Sequence, residues 1–275
     1  MSSGKEIRMR RIINSKSRRM FILAMDHGFS DGPIRGLGSI SQRLRDIGED
    51  ALNAVVVHQG MVSRLAPLLK ETKHLGLIVH LSGSTSLAHD TNDKRLVCSV
   101  EQAIRLGADA VSVHINLGAR TENQMLTDLG KVSQACQAWG MPLLGMMYPR
   151  GEGIDNPYDP QLIGHAIRVA MEMGVDIIKT YYTGDVESFG SILEYVDAPV
   201  LIAGGPQVDS DFKMFKMVHD ALKAGAAGVC FGRNVFQSEH ADLIAEALEN
   251  IVHKDFGVQE AVALLQQTKR WEMTG

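Results

Sequence analysis

The chain has 275 residues, 45% of them hydrophobic and 22% charged, with a net charge of -4 at neutral pH. That length supports one large domain with a full core, and the composition is ordinary for a water-soluble globular enzyme. The mildly acidic balance excludes a general field for nucleic acid or anionic membrane, and no apolar run approaches the ~20 residues of a membrane span.

In chain order, the opening is locally basic (Lys5, Arg8, Arg10, Arg11, Lys16, Arg18, Arg19). It reads as a solvated first helix or an intersubunit surface rather than an RNA contact. No N-terminal stretch resembles a signal peptide. The three cysteines, Cys98, Cys136 and Cys230, are scattered without metal-ligand spacing. Reduced thiols in the cytoplasm are the expectation.

Short apolar runs then follow at 21–25, 54–57, 77–79, 110–115, 142–147, 175–178, 199–203 and 228–231. They lack polar alternation, as parallel strands buried on both faces do. Helical periodicity fills the gaps, most clearly at 160–173, 212–223 and 241–252. Around Gly107, Gly174 and Gly225 one plan recurs: a helix end, a glycine suited to the left-handed conformation, then an apolar strand. Strand starts come every ~25–33 residues, the length of a βα unit. The pattern predicts a (β/α)8 TIM barrel as a single domain over 1–275, with a basic N-terminal extension and a C-terminal helix. A doubly wound sheet would want a glycine-rich turn after the first strand, and Asp26-His27-Gly28 is not one.

In such a barrel chemistry sits where strands end. The sixth run, Asp176-Ile177-Ile178-Lys179-Thr180, ends in a lysine. A charged lysine entering a buried strand costs several kcal/mol. Burial therefore predicts a neutral amine, the form that attacks a carbonyl to give a Schiff base. The plainer alternative is a lysine that snorkels to solvent. Asp26 follows five apolar residues, so desolvation is expected to raise its pKa and suit it to proton transfer, unless it only caps a helix. After the fifth run, Tyr148 offers a phenol and Arg150 a cation for an anionic group. The seventh and eighth runs lead into Ala203-Gly204-Gly205-Pro206 and Phe231-Gly232-Arg233-Asn234. Glycines there let backbone N–H groups approach a phosphate, and Arg233 adds a charged fork. His27, His58, His80 and His114 also fall at strand ends. They could hold a zinc ion that polarises a carbonyl, but they lack an H-x-H spacing. Hydrogen bonding to substrate hydroxyls is the expected role, with His27 as the candidate. No metal is expected.

Together, Met25-Asp26-His27-Gly28, Met147-Tyr148-Pro149-Arg150-Gly151, Ile178-Lys179-Thr180, Tyr182-Thr183-Gly184-Asp185, Ala203-Gly204-Gly205-Pro206 and Gly232-Arg233-Asn234 resemble the archaeal-type class I aldolases, over roughly residues 8–255. The resemblance implies that Lys179 forms the Schiff base. It also implies that Asp26 and Tyr148 handle protons, and that Gly204, Gly205, Gly232 and Arg233 hold phosphate. It further implies a phosphorylated ketose and an aldehyde acceptor as substrates, no cofactor, and a homo-oligomer of five or ten subunits. Fructose-bisphosphate aldolases of this type carry a tryptophan where Met146 stands and a second lysine where Tyr181 stands. Lys179-Thr180-Tyr181-Tyr182 is also similar to a thiolase acting on a phosphorylated autoinducer, which Tyr148-Pro149-Arg150-Gly151 does not fit. A barrel that merely binds sugar phosphate would need no buried amine.

Overall fold

The apolar runs are rich in β-branched and aliphatic side chains, which pack best on a pleated surface covered from both sides. The computed structural model describes residues 2–72, 74–205 and 210–274, with the backbone alone from 267 onward. Its barrel strands are β1 (Met20–Ala24), β2 (Ala54–His58), β3 (Gly76–His80), β4 (Ala110–Leu117), β5 (Leu143–Pro149), β6 (Ile177–Thr180), β7 (Val200–Ala203) and β8 (Gly228–Phe231). Each pairs in parallel with its neighbours in the chain. β8 returns to β1 with Met20 opposite Gly228, closing the expected (β/α)8 barrel. Every residue of β1 is fully buried, and so are Val55, Val56 and Val57 of β2.

The helix Pro160–Glu172 shows how the intervening segments form. Asp159 accepts the backbone N–H groups of Gln161 and Leu162 at 2.9 and 3.2 Å, and Pro160 sits in the first turn, where its missing donor costs nothing. Ile163, Ala166, Ile167 and Ala170 recur on one face and are buried against the barrel. The chain then turns through Gly174 at φ +74° into β6, and Gly107 and Gly225 make the same turn at φ +83° and +106°.

The basic opening departs from the solvated helix read from its composition. The helix Ser3–Met9 crosses the N-terminal end of the barrel, with Met9 and the following Ile12 buried. Lys5 is buried too, and its Nζ meets Asp176 Oδ2 at 2.8 Å. Arg11 Nη1 meets Asp109 Oδ1 at 2.7 Å, and Arg8 Nη1 donates to the Gly140 carbonyl at 2.9 Å. The two aspartates stand at strand starts and also accept backbone N–H groups of the preceding strands. Leu77 donates to Asp109 at 3.0 Å and Leu143 to Asp176 at 2.9 Å. Lys5, Arg8 and Arg11 thus tie the segment to the barrel floor, while Arg10, Lys16 and Arg18 are exposed as the composition suggested.

After β3 the chain makes an unexpected excursion, a short antiparallel hairpin of Ser82–Gly83 with Arg95–Leu96. Among the described residues no helix is long and apolar enough to cross a membrane.

Candidate active site

A cavity of about 490 Å³ opens at the C-terminal ends of the strands, lined by the expected catalytic and substrate-binding candidates Lys179, Asp26, Tyr148, Arg150, His27, Gly204, Gly205, Gly232 and Arg233. Pro206, read as part of the strand-seven turn, lies outside the described residues. Strand register sets part of the cavity wall. Met146 stands opposite both His114 of β4 and Lys179 of β6, so these three residues form one row across the barrel wall. Lys179 is 7% exposed and lies within the last residues of β6 rather than beyond them, which fixes its backbone in the sheet.

The charge states differ from the sequence expectation at two positions. Burial does favour a neutral Lys179 amine, but Cys230, Tyr148 and Asp26 outweigh it and hold the ammonium well above the usual lysine range. Burial raises the thiol of Cys230 and the phenol of Tyr148, so at pH 7 both are neutral and Asp26 is the anion that favours the ammonium; the other two add to it only where they ionise, at high pH. Asp26 in turn is not raised. Burial pushes it up, but His80, His27, Lys179 and His58 more than compensate and hold its carboxyl below the usual range. His80 is itself pushed down to about 3 by burial, so at neutral pH the lasting cation of this set is Lys179. Two oppositely charged groups lining one cavity each stabilise the other's ionised form, an effect that desolvation arguments made one residue at a time leave out.

The glycine turns leave room above the cavity floor. Gly205 has φ +64°, a conformation favoured only for glycine. A Cβ on Gly232 would sit 2.5 Å from His27 Cε1 and 2.7 Å from the Ala24 carbonyl oxygen. Asn234 Nδ2 donates to the Gly204 carbonyl at 2.8 Å and ties the two turns together. Arg233 Nη2 reaches the Gly205 carbonyl at 3.4 Å, while its buried Nε has no hydrogen-bond partner.

The four histidines have separate surroundings. His80 Nδ1 shares a hydrogen bond with Ser112 Oγ at 2.7 Å, and His114 Nε2 with Asn116 Oδ1 at 2.8 Å. His58 stacks on Phe29 at 4.4 Å between ring centroids, and His27 meets Phe236 edge-on at 5.5 Å. Among the described residues no three His, Cys, Asp or Glu side chains are grouped so as to hold a metal ion. Of the four, His27 and His114 line the cavity.

Three features of the site were not read from sequence. Cys230 of β8 lines the cavity and interacts with Lys179. Tyr181 lies against Tyr148 with its ring tilted and 4.7 Å between centroids, and it is hydrogen-bonded by Arg150 Nη2. Lys94, from the hairpin after β3, lines the cavity with Ser84, Thr85, Ser86 and Asn92. The polar, turn-rich composition of 82–94 was the available signal for the last.

A closed barrel that buries a lysine on its sixth strand, beside a carboxylate and a phenol in a polar cavity, is the framework of an enzyme that works on carbonyl compounds through an amine. The chain belongs to the DeoC/LacD family of aldolases, whose family model matches residues 20–238, and it is an enzyme of the aldolase type. It is similar to 2-amino-3,7-dideoxy-D-threo-hept-6-ulosonate synthase 1 of Archaeoglobus fulgidus, with 45% identity over 259 residues, 94% of this chain and 95% of the relative. It is also similar to the 2-amino-4,5-dihydroxy-6-oxo-7-(phosphonooxy)heptanoate synthase of Streptomyces griseus, with 40% identity over 250 residues, 91% of this chain and 90% of the relative. Among solved structures it resembles an archaeal fructose-1,6-bisphosphate aldolase described with its catalytic lysine covalently bound to the carbinolamine intermediate. That likeness has a TM-score of 0.80 and 31% identity, and covers 91% of this chain and all of the other.

Proposed function

We propose that this chain is a Schiff-base transaldolase that moves a ketose fragment from 6-deoxy-5-ketofructose 1-phosphate to aspartate semialdehyde, forming 2-amino-3,7-dideoxy-D-threo-hept-6-ulosonate. The observation that carries this reading is the placement of Lys179, buried at the end of β6 and lining one cavity with Asp26, Tyr148 and the glycine turns. The product names of the two relatives support the choice of acceptor. Each describes a 4-hydroxy-6-ketone on a 2-aminoheptanoate chain. Breaking the bond between carbons 4 and 5 of either leaves 2-amino-4-oxobutanoate, which is aspartate semialdehyde. The two differ at carbon 7, a methyl in one and a phosphorylated carbon in the other.

In this reading Lys179 passes its proton to Asp26, and its nitrogen attacks the donor ketone to form a carbinolamine. Tyr148, kept protonated by burial, donates to the carbinolamine oxygen, which leaves as water, and Tyr148 recovers a proton from Asp26, which is again a carboxylate. The iminium draws electrons from the neighbouring carbon–carbon bond. Asp26, an ionised carboxylate, takes the hydroxyl proton as the phosphorylated fragment departs as an aldehyde. The enamine left on Lys179 adds to the acceptor aldehyde, Asp26 returns the proton to the new hydroxyl, and water releases the product. Backbone N–H groups at Gly204, Gly205 and Gly232, with the unpartnered Nε of Arg233, bind phosphate and so fix the reacting carbon. His27 donates to a substrate hydroxyl, and the chain acts in the cytoplasm as a homo-oligomer. Its free thiols support that compartment.

The test is a panel of phosphorylated ketoses and aldehydes with products identified by mass spectrometry. The reading requires the aminoheptulosonate from the named pair, and poor cleavage of fructose 1,6-bisphosphate. If fructose 1,6-bisphosphate is turned over tenfold faster, the substrate assignment fails while amine chemistry at Lys179 stands.

A further inference from the structure

Two cations of the cavity wall have no part in the steps above. Lys94 is half-buried and sits on the hairpin that follows β3. Its Nζ donates to Ser84 Oγ at 2.7 Å, and Ser84 Oγ donates to the Thr91 carbonyl at 2.6 Å. The hairpin is braced on several sides. Ser86 N–H donates to the Ser30 carbonyl at 2.8 Å, Asn116 Nδ2 to the Asn92 carbonyl at 2.9 Å, and Val97 N–H to the Leu81 carbonyl at 2.7 Å. Lys94 is therefore held at the cavity wall by these hydrogen bonds and is not a loose surface side chain. Arg150 follows β5. Its guanidinium lies 5.5 Å from the Tyr148 ring centroid and 5.8 Å from that of Tyr181, and Nη2 donates to the Tyr181 hydroxyl. The second cation is thereby pinned beside the phenol nearest the chemistry.

We infer that Lys94 and Arg150 together form a second anion subsite that receives the carboxylate of the acceptor aldehyde. The inference rests on the transaldolase reading of the same cavity. Among the described residues neither side chain has a carboxylate within 4.0 Å, and the hydrogen bonds of both go to neutral groups. Both line the same cavity. Burial and then Arg150 push the Lys94 ammonium below the usual lysine range, against the weaker pull of Asp26, Asp31 and Asp90. Two like charges held together at a partly desolvated surface are destabilising, and a bound anion relieves both at once. Topology separates this pair from the phosphate turns. β3 and β5 flank β4, which lies opposite β8 in the eight-membered ring, whereas Gly204, Gly205, Gly232 and Arg233 follow β7 and β8. The cavity therefore has a cationic pole at each end, with Lys179 on the strand between them. A phosphorylated donor takes the β7–β8 pole, and the acceptor then needs its own negative end. Aspartate semialdehyde supplies a carboxylate, whose two oxygens suit a planar guanidinium fork beside a point charge. The hydroxyl-rich wall of Ser84, Thr85 and Ser86 completes a pocket for a polar rather than an alkyl chain.

Steady-state kinetics of Lys94→Met with two acceptors test the subsite. Butanal has the four-carbon aldehyde chain without the carboxylate. The KM for aspartate semialdehyde should rise about tenfold or more, the effect of losing one charged hydrogen bond. The KM for butanal should stay within twofold, and Lys94→Arg should recover most of the loss for the semialdehyde. Borohydride trapping of the donor on the variant shows that the protein is folded and amine chemistry intact; absence of trapping in the native enzyme would instead defeat the aldolase reading itself. Equal KM changes for both acceptors, or none, overturn the subsite. So does a variant that loses affinity for fructose 1,6-bisphosphate but not for the semialdehyde, because the pair would then hold a second phosphate. A further measurement needs no variant: L-2-aminobutanoate should compete with the semialdehyde and not with the donor. Failure to compete with the semialdehyde also overturns the assignment.

Discussion

The two ends of the barrel use the same residue types for opposite purposes. At the N-terminal end Lys5 is buried against Asp176 at 2.8 Å, Arg11 pairs with Asp109, and Asn53 Oδ1 accepts both Phe21 N–H and His253 Nε2 at 2.6 and 2.9 Å. Each aspartate there also accepts a backbone N–H of the neighbouring strand. At the C-terminal end Lys179 is equally buried, but it lines an open cavity with Asp26 as its anionic neighbour. Nδ1 of His27 and of His58, Oγ1 of Thr180, the hydroxyl of Tyr182 and Nε of Arg233 are buried there without hydrogen-bond partners. A lysine paired with a carboxylate at the closed end holds the fold together, whereas a lysine lining an open cavity among unpartnered polar atoms is placed to meet a ligand.

Replacing each lysine by methionine, which fills similar volume without the charge, sets the two ends against each other. Lys179→Met should lose turnover and donor trapping to the limit of detection, with circular dichroism and the unfolding midpoint close to native. A variant with native turnover would move the chemistry elsewhere. Asp26→Asn and Tyr148→Phe should lower kcat by ~10²–10⁴-fold with little change in KM, because proton transfer acts in the transition state. Asp26→Asn carries a second signature. Lys179 is held above the usual range partly by this carboxylate, so the neutral amine is the minor form below that pKa and trapping should accelerate as pH rises. Removing the carboxylate lowers the pKa and moves that rise to lower pH. A profile that stays in place would show that Asp26 does not set the charge of Lys179.

Lys5→Met should behave in the reverse way from Lys179→Met. It leaves Asp176 buried without its counter-charge, which typically costs ~3–5 kcal/mol. Chemical denaturation should show that loss, while kcat per folded molecule stays near native. A small stability change would mean that the floor pair tolerates exposure better than its burial suggests. The smallest effect expected is that of Arg233→Ala, which should weaken phosphorylated donors by about 10–100-fold relative to their unphosphorylated forms. If both forms suffer alike, the phosphate pole is misplaced.

Much of this arrangement was legible in the sequence, because the strands contain short unbroken apolar runs and the candidate site residues follow those runs directly. Lys179, Asp26, Tyr148 and the paired glycines could be found by position alone. Cys230 could not: a strand buried on both faces shows no polar alternation, so nothing indicates which of Val229, Cys230 and Phe231 points inward. The charge states of Asp26 and Lys179 were misjudged because each was weighed against burial alone, and the partner that decides them lies on a distant strand. Lys94 was hidden for a different reason. It belongs to a polar hairpin with no periodicity, and its position over the cavity follows from hydrogen bonds to Ser84 and from the tether of Asn92 to Asn116. The pairing of Lys5 and Arg11 with Asp176 and Asp109 was likewise invisible in a composition that showed only a basic segment.

The central claim is that Lys179 is the amine that bonds to substrate. The direct measurement is peptide mapping of the enzyme after incubation with 6-deoxy-5-ketofructose 1-phosphate and sodium borohydride. A mass increase corresponding to the reduced donor adduct should appear on the peptide containing Lys179 and be absent in Lys179→Met. A label on Lys94 or any other lysine, or no label under conditions of full turnover, would contradict the account.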